Sequence, residues 1–301
     1  MAADKLHAMR TFRRVAELGS FTAAADDLGL TPATISKQIA FLEQDLETRL
    51  IHRTTRRMHL SDTGLEYFDR VCQILDALDE TEYAVRGLDV HPKGRLRINA
   101  PMSFGLTHLN AVIESFVVQY PDIDIDLQLN DSLVNLVEQG VDVAIRIRDQ
   151  LADSSLTARA LCRIGRTLCA APAYLEKAGN PQQPDDLEQH NCLTYSLSVA
   201  PDLWQLGSQQ IRVTGDYQAN SSLAIKQRLL QGAGIALIPN FLVYEELRGG
   251  QLRALLPDCP PTGHTIYAVF PPGRHRPMKV RYFLDHLVDC FGDPPYWETV
   301  S

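Results

Sequence analysis

The sequence predicts an α + α/β protein, in which a small helical region and one long helix precede a larger region of mixed strands and helices. Three observations support this prediction. Apolar residues recur at helical spacing through the first part of the chain. Charge divides the chain into three unlike segments, and beyond residue 91 strand-like and helix-like stretches alternate. The length of 301 residues also favours two or more domains.

The net charge of −8 is unevenly distributed. Residues 1–60 carry nine basic and seven acidic side chains, residues 61–90 two and eight, and residues 91–301 eighteen and twenty-two. Five of the first nine basic residues lie between Lys37 and Arg57. The negative net charge of the whole chain excludes a uniformly basic nucleic-acid binder. The uneven distribution of charge still leaves a local basic surface on residues 1–60.

Three helices are expected in the first segment, over 5–18, over 21–28 and from Pro32 to about Glu47. Thr31 is a hydroxyl cap directly before a proline, which is a strong signal for the start of a helix. Residues 50–60 then read as strand, turn and strand.

The second and third helices, joined by a short turn, match the requirements of a helix-turn-helix that enters the major groove of DNA. The third helix presents small polar, amide and basic side chains at the outer surface of its first turns, namely Ala33, Thr34, Ser36, Lys37 and Gln38. The basic strand-turn-strand would contact phosphates or the minor groove. The alternative is an ordinary three-helix subdomain with a solvated basic loop.

These sixty residues resemble the LysR-type transcriptional regulators. The resemblance rests on Phe12, Val15-Ala16-Glu17, Gly19-Ser20-Phe21-Thr22-Ala23-Ala24-Ala25, Leu28, Leu30-Thr31-Pro32-Ala33-Thr34-Ile35-Ser36-Lys37-Gln38-Ile39, Leu42-Glu43, Arg49-Leu50-Ile51 and Arg53. It implies a winged helix-turn-helix. The four residues nearest the bases would be Pro32, Ala33, Ser36 and Lys37, and the two on the wing would be Arg53 and Arg56. Members of this family usually have glycine after the position of Leu46. Here Glu47 follows, so we expect the third helix to lack its left-handed cap.

Residues 62–87 form one long predicted helix with a net excess of acidic side chains. Its seam positions alternate by three and four, as in a coiled coil, through Phe68, Val71, Leu75, Leu78 and Val85, and are interrupted once by Glu82. Leu65, Cys72 and Ile74 widen this stripe. This resembles the family's linker helix, which implies a dimer that reads two half-sites. The alternative is a surface helix packed on its own domain.

After the linker signal at 91–94, the chain reads as alternating strands and helices. Strands are expected at 95–99, 122–129, 141–147, 165–171, 192–197, 234–238 and 267–270, and helices at 104–120, 132–139, 172–178, 221–231 and 278–291. The resemblance continues through Leu168-Cys169-Ala170-Ala171-Pro172-Ala173-Tyr174-Leu175, Leu187, His190-Asn191-Cys192-Leu193, Gly232, Gly234-Ile235-Ala236 and Ile238-Pro239.

This part of the resemblance implies an effector domain with two lobes like those of periplasmic binding proteins. The predicted domains are 1–60, 61–90 and 91–301. Lobe I would comprise 91–163 and 266–301, and lobe II 164–265, with crossings near 162–164 and 265–267.

A ligand of such a domain sits at the carboxyl ends of strands, facing helix N-termini. The residues expected there are Ser103, Phe104, Asn130, Asp131, Arg146 with its neighbour Arg148, Tyr195 and Ser221. Ser103, Asp131 and Ser221 also suit helix caps, and either arginine could pair with Asp142 or Asp149. A free guanidinium would suit a carboxylate, so we expect a small organic anion.

Other classes of protein fit less well. The sequence has no G-x-S-x-G, H-E-x-x-H or Walker A motif, and Leu237 replaces a glycine that a dinucleotide fingerprint needs after Gly232 and Gly234. A secreted solute receptor would need a signal peptide, and none is recognisable at the N-terminus. The six cysteines include no C-x-x-C pair, and Cys162 and Cys169 lie in apolar surroundings that favour inert thiols over a redox sensor.

The sequence therefore predicts a transcriptional regulator that is not an enzyme and carries no cofactor or metal. Double-stranded DNA, a second copy of the chain and a small effector are the expected partners. RNA polymerase is a further expected partner, and a tetramer is an expectation from the family. We expect a cytoplasmic protein without a membrane segment, because no apolar run approaches the roughly 18 residues that span a bilayer.

Overall fold

The chain folds into two compact units, Met1–Gly94 and Arg95–Ser301. The structure, a computed structural model, describes residues 2–53, 58–86, 92–131, 136, 139–149, 156–272, 277–292 and 294–298. The predicted helix at 132–139 lies mostly outside these residues. Within them, no helix is long and apolar enough to cross a membrane.

The first unit consists of four helices and a two-stranded ribbon, as predicted. These are α1 (Ala2–Leu18), α2 (Phe21–Leu28), α3 (Pro32–Asp45), β1 (Ile51–Arg53), β2 (Met58–Leu60) and α4 (Asp62–Arg86). Ser20 caps α2 by accepting a hydrogen bond from the Ala23 N–H, and Gly29 ends that helix with a left-handed φ of 64°. The core is formed by the apolar faces of α1, α2 and α3 together with the start of the ribbon, in Ala8, Phe12, Val15, Ala24, Ala25, Ile35, Ile39, Leu42, Leu50 and Ile51.

Helix α4 has the predicted length, but its apolar stripe does not form a free seam. Val71 and Leu75 are buried within the first unit, and the rings of Tyr67 and Phe68 pack on Phe12 of α1. The prediction that Val71 and Leu75 line an intermolecular seam was therefore wrong, whereas Phe68 is only half-buried. Apolar spacing identifies a buried helix face without identifying the helix that covers it.

The end of α3 is left-handed although it has no glycine. Glu47 adopts a φ of 51°, so the prediction that this cap would be missing was wrong. The Thr48 N–H donates to the Glu43 carbonyl at 3.1 Å, and the Glu47 N–H donates to the Gln44 carbonyl at 3.3 Å. These two bonds form a Schellman motif, which satisfies terminal carbonyls and turns the chain towards β1. The capping geometry persists with glutamate because the motif's hydrogen bonds offset the steric cost of a left-handed side chain.

The first sheet of the second unit has the strand order β4-β3-β5-β14-β6. Its strands and the helices beside it are β3 (Gly94–Ala100), α5 (Met102–Phe104), a π-helical turn (Gly105–Leu109), α6 (Asn110–Gln119), β4 (Ile123–Leu129), β5 (Val143–Arg148), β6 (Thr157–Ile164), β14 (His264–Phe270) and α10 (Met278–Phe291). β3 and β5 are parallel, whereas β14 runs antiparallel to both β5 and β6. A side chain at Gly105 would meet Leu129 at 2.2 Å, so glycine lets the helical turn lie against the end of β4.

The second sheet has the order β11-β8-β12-β7-β13. Its elements are β7 (Arg166–Ala170), α7 (Pro172–Ala178), β8 (Cys192–Tyr195), a hairpin of β9 (Leu203–Leu206) and β10 (Gln209–Arg212), β11 (Gln218–Ala219), α8 (Ser222–Leu230), β12 (Ile235–Pro239), α9 (Asn240–Arg248) and β13 (Arg253–Ala254). Short 3₁₀ turns cover Pro184–Gln189 and Tyr296–Glu298. The sequence did not predict β6, the hairpin, β11, β13 or α9, most of which are short or lie at an edge.

The chain crosses between the two sheets at Gly165 and again between Ala254 and His264. The crossings predicted at 162–164 and 265–267 fall inside β6 and β14, since the extended backbone continues to the boundary without a break in pattern. A Cβ at Gly263 would lie 2.7 Å from the Ile164 carbonyl, so the two crossing segments pass each other in close contact. The Glu298 carboxylate accepts hydrogen bonds from the Gly165 N–H at 2.7 Å and from the Asn240 amide at 2.8 Å, which ties the first crossing to the C-terminal turn.

We predict that Glu47→Gly stabilises the end of α3 by about 1 kcal/mol, because glycine adopts the left-handed conformation without a side-chain clash. Hydrogen–deuterium exchange should then slow at the Thr48 amide, which is bonded to Glu43. Glu47→Ala serves as the control, since it removes the same charge but keeps the Cβ. Equal protection in the two variants would contradict the conformational explanation.

Candidate nucleic-acid interface and ligand cleft

The N-terminal end of α3 is exposed on one side and buried on the other. Thr31 accepts a hydrogen bond from the Thr34 N–H at 3.2 Å, and Pro32 occupies the first helical position. Pro32, Ala33 and Lys37 are exposed. The opposite face of the helix is fully buried through Ile35, Ile39 and Leu42. The first turns therefore present an outer surface to solvent, as the sequence predicts.

Two of the predicted DNA-contacting residues have structural partners within the first unit. The Gln38 side-chain oxygen accepts a hydrogen bond from the hydroxyl of Thr11, which is buried on α1. This leaves only the Gln38 amide nitrogen for a base edge. The Thr34 hydroxyl lies 2.8 Å from the Thr31 hydroxyl and so belongs to the helix cap. Ser36 is half-buried beside them.

The basic residues of α1 are neutralised by acidic neighbours of the same unit. The pairs are Lys5–Asp45 at 2.6 Å, Arg10–Asp79 at 2.7 Å, Arg13–Asp76 at 2.8 Å and Arg14–Asp27 at 2.5 Å. No ion pair within the described residues involves Lys37 on α3 or Arg49 before β1. The uncompensated positive charge of the first unit is thus concentrated near α3 and the ribbon, where a DNA backbone would be contacted.

The ribbon is held in place by the end of α3. One oxygen of the Glu43 carboxylate accepts hydrogen bonds from the N–H groups of Leu50, at 2.9 Å, and Ile51, at 3.1 Å. β1 and β2 pair in antiparallel register, with Arg53 opposite Met58. Arg56 and the side chain of Arg53 lie outside the described residues. The strands of the predicted wing are present, and the contacts of its two arginines remain predictions.

A cleft in the second unit collects most of the residues that the sequence predicts for an effector. Its cavity measures about 130 Å³, smaller than the roughly 300 Å³ at which sites for drug-sized ligands begin. Its wall includes Ser103, Asn130, Asp131, Arg146 and Tyr195, together with Pro101, Ile147, Arg148, Arg166, Leu197, Ser198, Ser222, Ile225, Leu237, Ile238, Pro239, Phe241 and His264. Since β5 belongs to the first sheet and β7, β8 and β12 to the second, the cavity lies between the two lobes.

Two predicted residues do not line this cavity. Phe104 is fully buried in a ring cluster, with centroids 5.4 Å from Phe241 and 6.1 Å from Trp297. Its apolar ring is used for packing, although it follows the polar strand end. Ser221 precedes α8, and the neighbouring hydroxyl of Ser222 lines the cavity instead.

The strand-to-helix junction after β3 differs from the predicted anion site. The N-cap residue of α5 is Pro101, not Ser103. The Met102 N–H donates to the carboxylate of Asp131, which follows β4. The Met102 amide that an anionic ligand was expected to use is therefore already hydrogen-bonded to a carboxylate of the protein. Burial raises the pKa of Asp131, while the Met102 amide and the positive charge of Arg148 oppose that effect.

Three arginines give the cleft a positive electrostatic character, and a histidine lies beside them. Burial and the charge of Arg148 lower the pKa of Arg146, and burial lowers the pKa of Arg166. The pKa of His264 is about 4, because the ring is buried and lies near Arg166 and Arg148. The histidine is therefore neutral at physiological pH. The sequence did not single out Arg166 or His264, although each directly follows a glycine of a crossing segment.

Three buried thiols of the second unit are poor candidates for redox chemistry. Cys162, Cys169 and Cys192 are buried, and burial raises the pKa of Cys169 and of Cys192 to about 12. Thiolate is the reactive form of cysteine, so these residues are unreactive near neutral pH. Among the described residues, no group of histidine, cysteine, aspartate and glutamate is arranged to hold a metal ion.

Comparison with known proteins gives matches over both units. Residues 6–65 match the bacterial regulatory helix-turn-helix protein, lysR family, and residues 90–291 match the LysR substrate binding domain. The chain is 37% identical to the HTH-type transcriptional regulator PtxR of Pseudomonas aeruginosa, covering 97% of this chain and 94% of that protein. It is 33% identical to the HTH-type transcriptional activator TtdR of Escherichia coli, covering 89% and 88% respectively.

Two solved structures are similar over nearly the whole chain. CrgA from Neisseria meningitidis, described as a LysR-type transcriptional regulator, gives a TM-score of 0.62 at 30% identity, covering 94% of this chain and 97% of that one. AphB, a virulence activator of Vibrio cholerae, gives a TM-score of 0.60 at 29% identity, covering 94% and 98%.

The charge distribution predicts different salt dependences for two single substitutions. Lys37→Ala should reduce the slope of log Kd against log salt on duplex DNA by about 0.9, the loss expected for one phosphate contact. Arg14→Ala removes the same charge from a residue already paired with Asp27, and its slope should match that of the wild type. Equal slopes for both variants would contradict the assignment of Lys37 to the interface.

The low pKa of His264 predicts an acid-dependent loss of stability in the second unit. Because the folded state disfavours the protonated ring, the contribution of His264 to the free energy of unfolding should be constant above about pH 6.5 and fall as the pH drops towards 4. His264→Gln should remove up to roughly 3 kcal/mol of this pH dependence. Urea unfolding of the full chain, followed by the fluorescence of Trp204 and Trp297, reports on this unit, since the first unit has no tryptophan. Identical pH profiles would contradict the prediction.

Proposed function

Since the chain belongs to the LysR family of transcriptional regulators, we propose that it reads an operator with the exposed end of α3 and the wing, under the control of an anionic effector bound in the cleft. Like its relatives, the chain is a DNA-binding regulator with an effector-binding domain, and it is not an enzyme. What we propose beyond this is which residues contact DNA and which class of ligand binds in the cleft.

The observation that carries the DNA-binding part is the separation of charge in the first unit. Every basic residue of α1 has an acidic partner, while Lys37 and Arg49 have no ion pair among the described residues. Pro32, Ala33, Ser36 and Lys37 would lie nearest the bases, with the Lys37 ammonium group on an adjacent phosphate, and Arg53 and Arg56 would contact the backbone beside them. Gln38 has a smaller role, because its oxygen is held by Thr11.

The effector part rests on the composition of the cleft. Arginines from both lobes meet hydroxyl groups and an apolar wall in one small cavity. Guanidinium groups bind carboxylates in a bidentate geometry, so a small organic anion fits this set of side chains better than a neutral or cationic ligand. No cofactor or metal enters the proposal.

We propose a homodimer as the DNA-binding species, so that two α3 helices reach successive major grooves. The α4 stripe available to a second copy is the exposed one, where Ile74 is 50% exposed and Ala77 and Thr81 follow at helical spacing. A tetramer of two such dimers and contact with RNA polymerase extend the same proposal. The protein would act in the cytoplasm, where the DNA of a bacterial cell lies.

DNase I footprinting on the DNA upstream of the gene tests the proposal. The wild type should protect two half-sites whose centres are separated by whole turns of about 10.5 base pairs. Ser36→Ala and Lys37→Ala should weaken both, whereas Arg14→Ala should leave the footprint unchanged. Protection of one half-site alone would contradict the dimer, and an unchanged footprint with Ser36→Ala and Lys37→Ala would contradict the role of α3.

A further inference from the structure

The positive charge in the cleft exceeds what the residues of its wall neutralise. Arg146, Arg148 and Arg166 line the cavity, and Asp131 is the carboxylate that lines it with them. Asp149 lies within electrostatic range of Arg166 but is exposed to solvent, where its effect is strongly screened. The wall therefore carries about two unbalanced positive charges.

Part of this charge is held in place by buried polar groups. One nitrogen of Arg146 donates to the side-chain oxygen of Asn99 at 2.7 Å and to the Ile145 carbonyl at 2.8 Å. Asn99 is only 1% exposed, and its amide donates to the Gln128 carbonyl at 3.3 Å. The remaining nitrogens of Arg146 are directed by this anchored geometry, which is typical of a preformed binding site.

The three arginines come from different lobes. Arg146 and Arg148 alternate along β5 and so point to the same side of the first sheet. Arg166 is the first residue of β7 in the second sheet, and its Nε donates to the Thr262 carbonyl of the second crossing at 2.8 Å. Guanidinium groups of both lobes thus face one cavity, and two anionic groups on a short carbon chain would give each lobe a carboxylate of its own.

The rest of the wall favours an organic ligand. Leu197, Ile225, Leu237, Ile238 and Phe241 give the cavity an apolar side, against which methylene groups would pack. Helix α8 begins at the cavity, and its N-cap residue Ser221 makes no side-chain cap hydrogen bond. Its N-terminal amides add to the positive potential that faces Ser222.

We propose that the effector is a small dicarboxylate that bridges the lobes, with one carboxylate on Arg146 and Arg148 and the other on Arg166. This inference rests on the proposed function, because it specifies the ligand of the same cleft. A bridging dianion links the first sheet directly to the first residue after Gly165, so its binding would fix the relation of the two lobes. A monocarboxylate would neutralise only one of the roughly two unbalanced positive charges.

Calorimetric titration of the full chain with malonate, succinate, glutarate, acetate and inorganic phosphate tests this proposal. At least one of the three dicarboxylates should bind at least tenfold more tightly than acetate or phosphate. Arg166→Gln and Arg148→Gln should each weaken that dicarboxylate about thirtyfold, and acetate much less. Arg248→Gln serves as the control, because it removes the same charge from an exposed position at the end of α9, and it should leave binding unchanged.

Each other outcome overturns a stated part of the proposal. Equal binding of acetate and the dicarboxylates, with loss in Arg148→Gln alone, would reject the bridge but keep an anionic effector in the cleft. Preference for phosphate would reject the dicarboxylate and assign the charge to an inorganic or phosphorylated ligand. Failure of every anion to bind, in a protein that still gives the wild-type footprint, would reject both the bridge and the anionic effector while leaving the DNA-binding function intact.

Discussion

The close passage of the two crossing segments is the constraint on which the second unit depends. Gly263 lies against Ile164 and Gly165 so tightly that a side chain on it would meet backbone. The residues that follow the two glycines, Arg166 and His264, are thereby brought to the same edge of the cleft. The pair is separated by almost a hundred positions in the sequence, and the crossing makes them neighbours. Burial, together with the charge of Arg166, lowers the pKa of the histidine, and the arginine adds positive charge where the lobes meet.

Charge also organises the first unit, but there ion pairs remove positive charge from one side instead of concentrating it. In α1, four basic side chains are satisfied by carboxylates of α1, α2, α3 and α4, which ties the helices together and removes positive potential from that side. The more exposed of these pairs, Lys5–Asp45 and Arg14–Asp27, contribute little to stability. Their main consequence is electrostatic, because Lys37 and Arg49 remain without an ion pair among the described residues. Within the described residues of the first unit, the basic charge that has no ion pair therefore lies around α3 and the ribbon, although the net charge of the whole chain is −8.

Features set by neighbouring residues could be predicted from the sequence. The cap at Thr31 followed by Pro32 determines the start of α3 locally, and the polar residues at the ends of β3, β4 and β5 meet because parallel strands end at the same edge. Contacts between elements that are distant in the sequence could not be predicted, because an apolar pattern does not identify the element that packs against it. The spacing of Val71 and Leu75 indicates a buried face, but only the fold shows that α4 packs on α1.

The roles of side chains that suit two different functions could not be predicted from the sequence either. Gln38 has an amide that fits a base edge, yet its oxygen is taken by the buried hydroxyl of Thr11. Asp131 suits a cap or a ligand contact, and it accepts the Met102 amide that an anion was expected to use. Glu47 has a left-handed conformation that residue type alone disfavours. In each case a competing hydrogen bond, formed only in the folded chain, decides the outcome.

A crystal structure of the full chain grown with the tightest-binding dicarboxylate would test the central claim most directly. The claim predicts density for one ligand in the cleft, with one carboxylate within hydrogen-bond distance of Arg146 or Arg148 and the other of Arg166. A ligand whose carboxylates both contact the arginines of a single lobe, or one bound outside the cleft, would contradict it.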